Sequence, residues 1–285
     1  MSSTFYPRGT DLRPTETFPV VQRAGVRFFR RVTRGFVNIF RHIGLRGFFL
    51  RDIVRALADP GTWAAEWVRQ MRNIGVDSVP LASIVAAFIG AVIAIQIRYQ
   101  LFPGVQLSLV GLASRLMIVL ELGPLLTGLV LTGRVGARMT AEIGTMRVTE
   151  QIDALETLAY DPIAYLVVPR LLASVVMLPT LVILANAVGL GSAYVISIYF
   201  THVPPGDFKE GLRLGYGPFQ LFYSLLKAML FGWAIAFNCS YEGYITATGA
   251  EGVGKSTARA VVITSVVILV LDAITAIVLG PFLQP

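Results

Sequence analysis

Five long apolar runs constrain this chain more than any other feature. They cover roughly residues 78–101, then 109–133, about 163–199, 219–239 and 259–283, and the first is centred on VPLASIVAAFIGAVIAIQIRYQLF at 79–102. Each is near or above the ~20 residues that a helix needs to cross the hydrocarbon of a bilayer. Backbone groups in lipid must be satisfied within the segment, so all five are expected to be helices. Composition agrees: 14% of residues are charged, against about 25% in an ordinary soluble domain. The third run is unusually long and contains Pro169 and Pro179. It reads as a kinked span that begins at the cytoplasmic surface.

The pI of 9.8 would suit a nucleic-acid partner, but the position of the charge argues against one. Thirteen arginines precede residue 73, opposed there by Asp11, Glu16, Asp52, Asp59 and Glu66. A basic flank ahead of a membrane span reads as a cytoplasmic anchor at an anionic leaflet. Residues 1–19 are polar and rich in Pro and Thr, so a poorly ordered tail is expected. They lack an apolar core, so no cleavable signal peptide is expected. Residues 20–72 read as a basic interfacial region. In it Val26, Phe29, Val32, Phe36, Phe40, Ile43 and Phe48 recur at helical spacing, largely separated by arginines. Residues 73–285 form the five-span domain.

With the N-terminus cytoplasmic, the connections 134–162 and 240–258 are cytoplasmic too, and carry Arg134, Arg138, Arg147 and Lys255. Residues 102–108 and 200–218 are then outer loops, and the C-terminus is outside.

Cys239 is the only cysteine, and His42 and His202 lie far apart in sequence. No disulfide, metal cluster or catalytic constellation is expected; Cys239 reads as a small buried filler near a helix end.

Residues 249–257, GAEGVGKST, match a nucleotide-binding P-loop. That loop works where it follows a buried strand and opens a helix, so that its amides cradle phosphates. Here it lies between two membrane spans with no strand pattern before it. It reads as a glycine-rich turn, with Lys255 and Arg259 at the headgroups and Ser256 or Thr257 capping the fifth helix.

The densest polar signal lies from Glu121 to Arg170. Glu121 interrupts an apolar run, where an ionisable group costs about 2.5–3.5 kcal/mol and is expected to face a cavity or partner. Gly123 and Pro124 follow at once and predict a kink. Gly128, Thr132 and Gly136, with Gly133 and Ala137, permit close helix approach. Residues 147–161 predict a short amphipathic helix with Val148, Ile152, Leu155 and Ala159 on one stripe, ended by Asp161 and Pro162. Asp272 sits in the middle of the fifth run. The two acids are read here without an intramembrane lysine or histidine, which weakens the alternative of an ion-coupled transporter or channel built on Glu121 and Asp272.

The stretch ELGPLLTGLVLTGRVGARMTAEIGTMRVTEQIDALETLAYDP, followed by VVPR, resembles the signature of the MlaE/YrbE permease family. The likeness extends to FIGAVIAIQ and to the C-terminal segment, covering roughly residues 70–283. These are the membrane subunits of MCE-associated ABC lipid transporters. The resemblance implies an all-α fold: an N-terminal interfacial helix, five spans, and a cytoplasmic coupling helix between the second and third. It implies a homodimer in the bacterial inner membrane that binds no cofactor itself. Its partners would be two ABC ATPase subunits, which use ATP and Mg, and a periplasmic MCE-domain protein. Phospholipid would pass through a cavity open to the periplasm. Family positions near the lipid match Ile93, Ile97, Leu101, Glu121 and Leu122. The coupling helix matches Thr149, Glu150, Gln151, Ile152, Asp153, Ala154, Leu155 and Glu156. One departure is Leu120, where the family often has Arg; Arg115 falls on the opposite helix face and is not expected to replace it.

Overall fold

The computed structural model describes residues 44–247 and 249–283. The sequence-predicted tail at 1–19 and the amphipathic pattern from 20 to 43 lie outside them. The chain divides after Phe49. The described part of the first unit, residues 44–49, is helical.

In the second unit residues 50–56 are helical (α1). Helix α2 covers Pro60–Ile74 and passes through a single turn at Val76–Ser78 into α3, Val79–Gln100. The second span is one helical run from Ser108 to Val148. It comprises α4 (Ser108–Leu116), a π-helical segment Met117–Leu122, α5 (Gly123–Leu131), a second π segment Thr132–Gly136, and α6 (Ala137–Val148). After α7 (Gln151–Thr157) a third π segment, Ile163–Val167, opens α8 (Val168–Tyr199). Then come α9 (Pro205–Arg213), α10 (Pro218–Tyr244) and α11 (Ala250–Leu279). No strand occurs among the described residues. Five helical runs are long and apolar enough to cross a membrane, so this is an all-α, multi-pass membrane protein.

The apolar runs located the spans; the third matches its helix, and the other four helical runs extend beyond theirs. The fifth was expected from residue 259 but starts at Ala250. Helical hydrogen bonding continues past the hydrocarbon into water, where polar residues propagate a helix as well as apolar ones. The 200–218 connection, expected as a loop, contains α9, which buries Phe208 edge-to-face against Tyr194 at 5.6 Å between ring centres. In α8, Pro169 occupies the first turn, where a missing N–H is tolerated, and Pro179 sits inside the helix without ending it.

Helices α8 and α10 form the centre: α8 packs along α3, α2 and α10, and α10 also packs on α6 and α11. The α3–α8 crossing depends on glycine, since a Cβ on Gly90 would stand 1.9 Å from the Gly189 carbonyl oxygen. Gly128, Thr132 and Gly136 face α10. A Cβ on Gly136 would lie 2.8 Å from Cys239 Sγ, and Thr132 is fully buried. Gly133, grouped with them from sequence, has open space where a Cβ would go. Cys239 is buried, with Sγ 3.5 Å from Thr264 Oγ1.

Candidate functional site

Two places carry the polar residues singled out from sequence. The first is a charge cluster between three spans. Glu121 lies on the π segment Met117–Leu122, Lys227 on α10 and Asp272 on α11. The Lys227 ammonium reaches Glu121 Oε2 and Asp272 Oδ1, each at 2.6 Å. Lys227 is fully enclosed, Asp272 is partly buried, and the Glu121 side chain is 45% exposed. The ammonium also lies 4.9 Å from the centre of the Tyr223 ring. Pro124 has no N–H to offer the carbonyl of Leu120 four residues back, and Lys227 Nζ donates to that oxygen at 3.3 Å.

Lys227 corrects the sequence reading, which assigned the two acids no basic partner within the membrane. The signal was present in QLFYSLLKAML, where one lysine interrupts an apolar run as Glu121 and Asp272 interrupt theirs. Asp272 faces Lys227 across the bundle, and each acid alone would be costly in lipid. Together they give the buried cation two opposite charges and leave the cluster one negative charge in excess. Arg115 does not join them: it is buried, donating to Gln220 Oε1 at 2.6 Å and to the Leu214 carbonyl at 2.7 Å.

Four of the five positions implied by the resemblance to be near lipid pack together. Ile93 belongs to a buried apolar cluster with Val110, Ile118 and Phe208, and Ile97, Leu101 and Leu122 are half-buried against it. Glu121 is next to Leu122 in sequence but turns toward Lys227. Ile93 and Ile97 line a cavity of about 60 Å³ with Gln96, Gln100 and Met117. That is well below the roughly 300–1,000 Å³ of a small-molecule pocket.

The second place is α7. The expected helix over 147–161 is shorter, because Glu150 and Ala159 adopt left-handed backbone, at φ 60° and 61°, and bracket it. Val148 therefore belongs to α6 and Ala159 lies beyond α7, so the four-residue apolar stripe is broken. Ile152 is fully buried and Leu155 partly so, while Gln151, Asp153, Ala154 and Glu156 are exposed. Thr149 and Glu150 precede the helix; Glu150 occupies its N-cap position. Asp161 does not end α7: it lies just before the following segment, where its Oδ1 accepts the Ile163 N–H at 2.9 Å. Arg147 Nη1 meets Asp153 Oδ1 at 2.7 Å and ties α7 back to α6.

GAEGVGKST is not a turn beyond Gly249, which has φ 90°. The remainder lies in α11, with the Val253 N–H bonded to the Gly249 carbonyl at 3.3 Å. Thr257 Oγ1 donates to the Val253 carbonyl within the helix rather than capping it, and Ser256 is buried. The amides from Val253 onward are committed to the helical ladder and are not splayed into a phosphate cradle. Glycines that α-helical hydrogen bonding can accommodate do not by themselves specify a loop. Among the described residues no group of three or more His, Cys, Asp or Glu side chains is placed to hold a metal.

Comparison with known proteins is consistent across the spans. A family profile described as Permease MlaE matches residues 67–278. A probable ABC transporter permease protein of Rickettsia prowazekii is 35% identical over 235 residues, covering 82% of this chain and 90% of the relative. One from Synechocystis is 42% identical over 205 residues, covering 71% and 77%. The intermembrane phospholipid transport system permease protein MlaE of Haemophilus influenzae is 31% identical over 257 residues, covering 90% and 98%.

Proposed function

The chain belongs to the MlaE permease family, and on that premise we propose that it is the membrane subunit of an ABC transporter moving phospholipid or a related lipid. The lipid passes between the bacterial inner membrane and a periplasmic MCE-domain protein. Two separate ATPase subunits supply the work, bind ATP and Mg, and dock on residues 149–156. The chain acts as a homodimer with its N-terminus cytoplasmic and its C-terminus periplasmic.

One observation carries this reading. The helical run Ser108–Val148 holds Glu121 about a third of the way along and leads at its far end into α7, whose Gln151, Asp153, Ala154 and Glu156 are exposed. A push on α7 is passed to α6 through the Arg147–Asp153 pair and travels along that run. The π segments at Met117–Leu122 and Thr132–Gly136 are local changes of winding of the kind found frequently at functional sites. Motion at Glu121 and Leu122 then opens or closes the apolar surface around Ile93, Ile97 and Leu101. The 60 Å³ cavity in one chain is too small for a two-tailed lipid, so the path is completed between two copies. Burying acyl chains there contributes about 0.8 kcal/mol per CH₂.

Ala154→Pro tests the coupling: the variant should insert and fold but lose co-purification with the ATPase. Retained co-purification would remove α7 from the docking surface. Purified alone, the chain should hydrolyse no ATP.

The enclosed Lys227 favours a second reading, ion coupling through Glu121, Lys227 and Asp272. Transport driven by a proton gradient without ATP would select it.

A further inference from the structure

A second polar site lies at the α7 end of the bundle, away from the charge cluster. A groove of about 600 Å³ runs between α2, α6, the π segment Ile163–Val167 and the start of α7. A smaller recess beside Arg134 shares Gln70, Asn73, Arg138, Glu142 and Arg170 with it. Together the two carry four arginines, at 69, 134, 138 and 170, against two acids, Glu66 and Glu142. The excess is two positive charges.

The site is built rather than scattered. Arg170 forms its floor at 7% exposure, held by the Leu166 carbonyl at 2.7 Å and Glu142 Oε2 at 3.2 Å. Arg138 binds the other oxygen of Glu142 at 2.7 Å, with its side chain 58% exposed. Arg69 stands opposite on α2, 76% exposed, with Glu66 at a loose 3.7 Å. The single Glu142 carboxylate is thus shared between two guanidinium groups. The Asn73 amide adds an uncharged donor, while the Gln70 amide nitrogen donates to Glu66 Oε1 at 2.8 Å.

We propose that this groove binds a phosphate-bearing anion, presented as a lipid headgroup by the leaflet at the α7 end. Guanidinium groups on different helices suit a compact anion with several acceptor oxygens. Basic pockets between spans at a membrane surface take anionic headgroups. Helix α2, which forms one wall, carries Trp63 and Trp67 packed edge-to-face at 6.1 Å; such side chains favour the headgroup level. The site is separate from the one near Glu121. Arg138 lies seventeen residues further along the same run, about 25 Å at 1.5 Å per residue. A bound anion would tie α2 to α6 and brace the helix that leads into α7. The inference stands whether or not the transport reading does.

The test uses the full chain in nanodiscs of phosphatidylglycerol and phosphatidylcholine in equal parts, with retained lipid counted by native mass spectrometry. Wild type should retain phosphatidylglycerol selectively. Retention should fall on the order of tenfold in Arg69→Gln/Arg138→Gln, and likewise in Ala141→Phe, which fills the groove without removing charge. Ile97→Trp, which fills the cavity near Ile93, should leave this retention intact. Phosphatidylglycerol kept by both groove variants, or lost only in Ile97→Trp, would overturn the proposal, as would phosphatidylglycerol held no better than phosphatidylcholine when inorganic phosphate does not bind either. Inorganic phosphate is the separate arm. If it binds in detergent, and the groove variants block it while phosphatidylglycerol is not selected, the anion site stands but its source is free phosphate. An anion-blind groove that instead captures the ATPase subunit through Arg69 and Arg138 would also overturn it.

Discussion

Helices α10 and α11 are neighbours with opposite fates. The most apolar stretch of α10 has a mean hydropathy of 1.4 and is 56% buried within the chain; that of α11 has 2.7 and is 17% buried. In a soluble protein the order would be reversed. Here the solvent is hydrocarbon, so the helix with more polar groups to satisfy goes inside, and the helix with fewer keeps them on one inward stripe and can turn the rest outward. Helix α10 buries Gln220, Ser224, Lys227, Asn238, Ser240 and Glu242. Helix α11 turns inward Ser256, Ala260, Thr264, Ile268 and Thr275, and exposes Val262, Val266, Leu269, Val270 and Ile277.

The strongest way to break this contrast is to remove the cation at its centre. Lys227→Met leaves Glu121 and Asp272 facing one another without it and should cost about 3–5 kcal/mol, read as a fall in thermal stability in detergent. The triple change with Glu121→Gln and Asp272→Asn should recover most of that. If Lys227→Met alone were neutral, the cluster would contribute nothing to the fold. Next is Ile268→Ala on the inward stripe of α11, fully buried, expected to cost about 2–4 kcal/mol in the same assay. Gly232→Ala should cost about 1–3 kcal/mol, since its Cβ would stand 2.5 Å from the Ser174 carbonyl oxygen. The smallest effect belongs to Leu269→Ala on the outward face of α11, within about 0.5 kcal/mol. A loss of more than 2 kcal/mol there would mean that this face meets a second copy rather than lipid. Leu269→Cys sharpens the point, because native Cys239 is buried: thiol cross-linking between chains would place the dimer contact on α11.

Legibility followed how local each signal was. The five spans could be read because a run of apolar residues long enough to cross a bilayer is a property of one stretch. The long second span was read only to Gly133, because polarity marks the edge of the hydrocarbon and not the end of a helix. The boundaries of α7 were missed for a related reason. The left-handed residues that bracket it are Glu150 and Ala159, and neither type announces that backbone as glycine would. The GAEGVGKST segment shows the converse: a pattern associated with a loop became helix once membrane spans flanked it. Lys227 was legible but overlooked, since it looked like one polar residue in an apolar helix until its partners on two other helices were in place.

The amino-acid order alone therefore determined the class of molecule, the number of crossings and the family. Hydrophobic length and a long contiguous motif are written along the chain and need no partner to be read. Tertiary structure decided which helix is enclosed and which faces outward, which acid is held by which base, and that Arg69, Arg138 and Arg170 from three helices line one groove. Those outcomes depend on residues from different spans meeting in three dimensions. In lipid, where an unpaired charge is costly, the meeting itself settles which side of each helix turns inward.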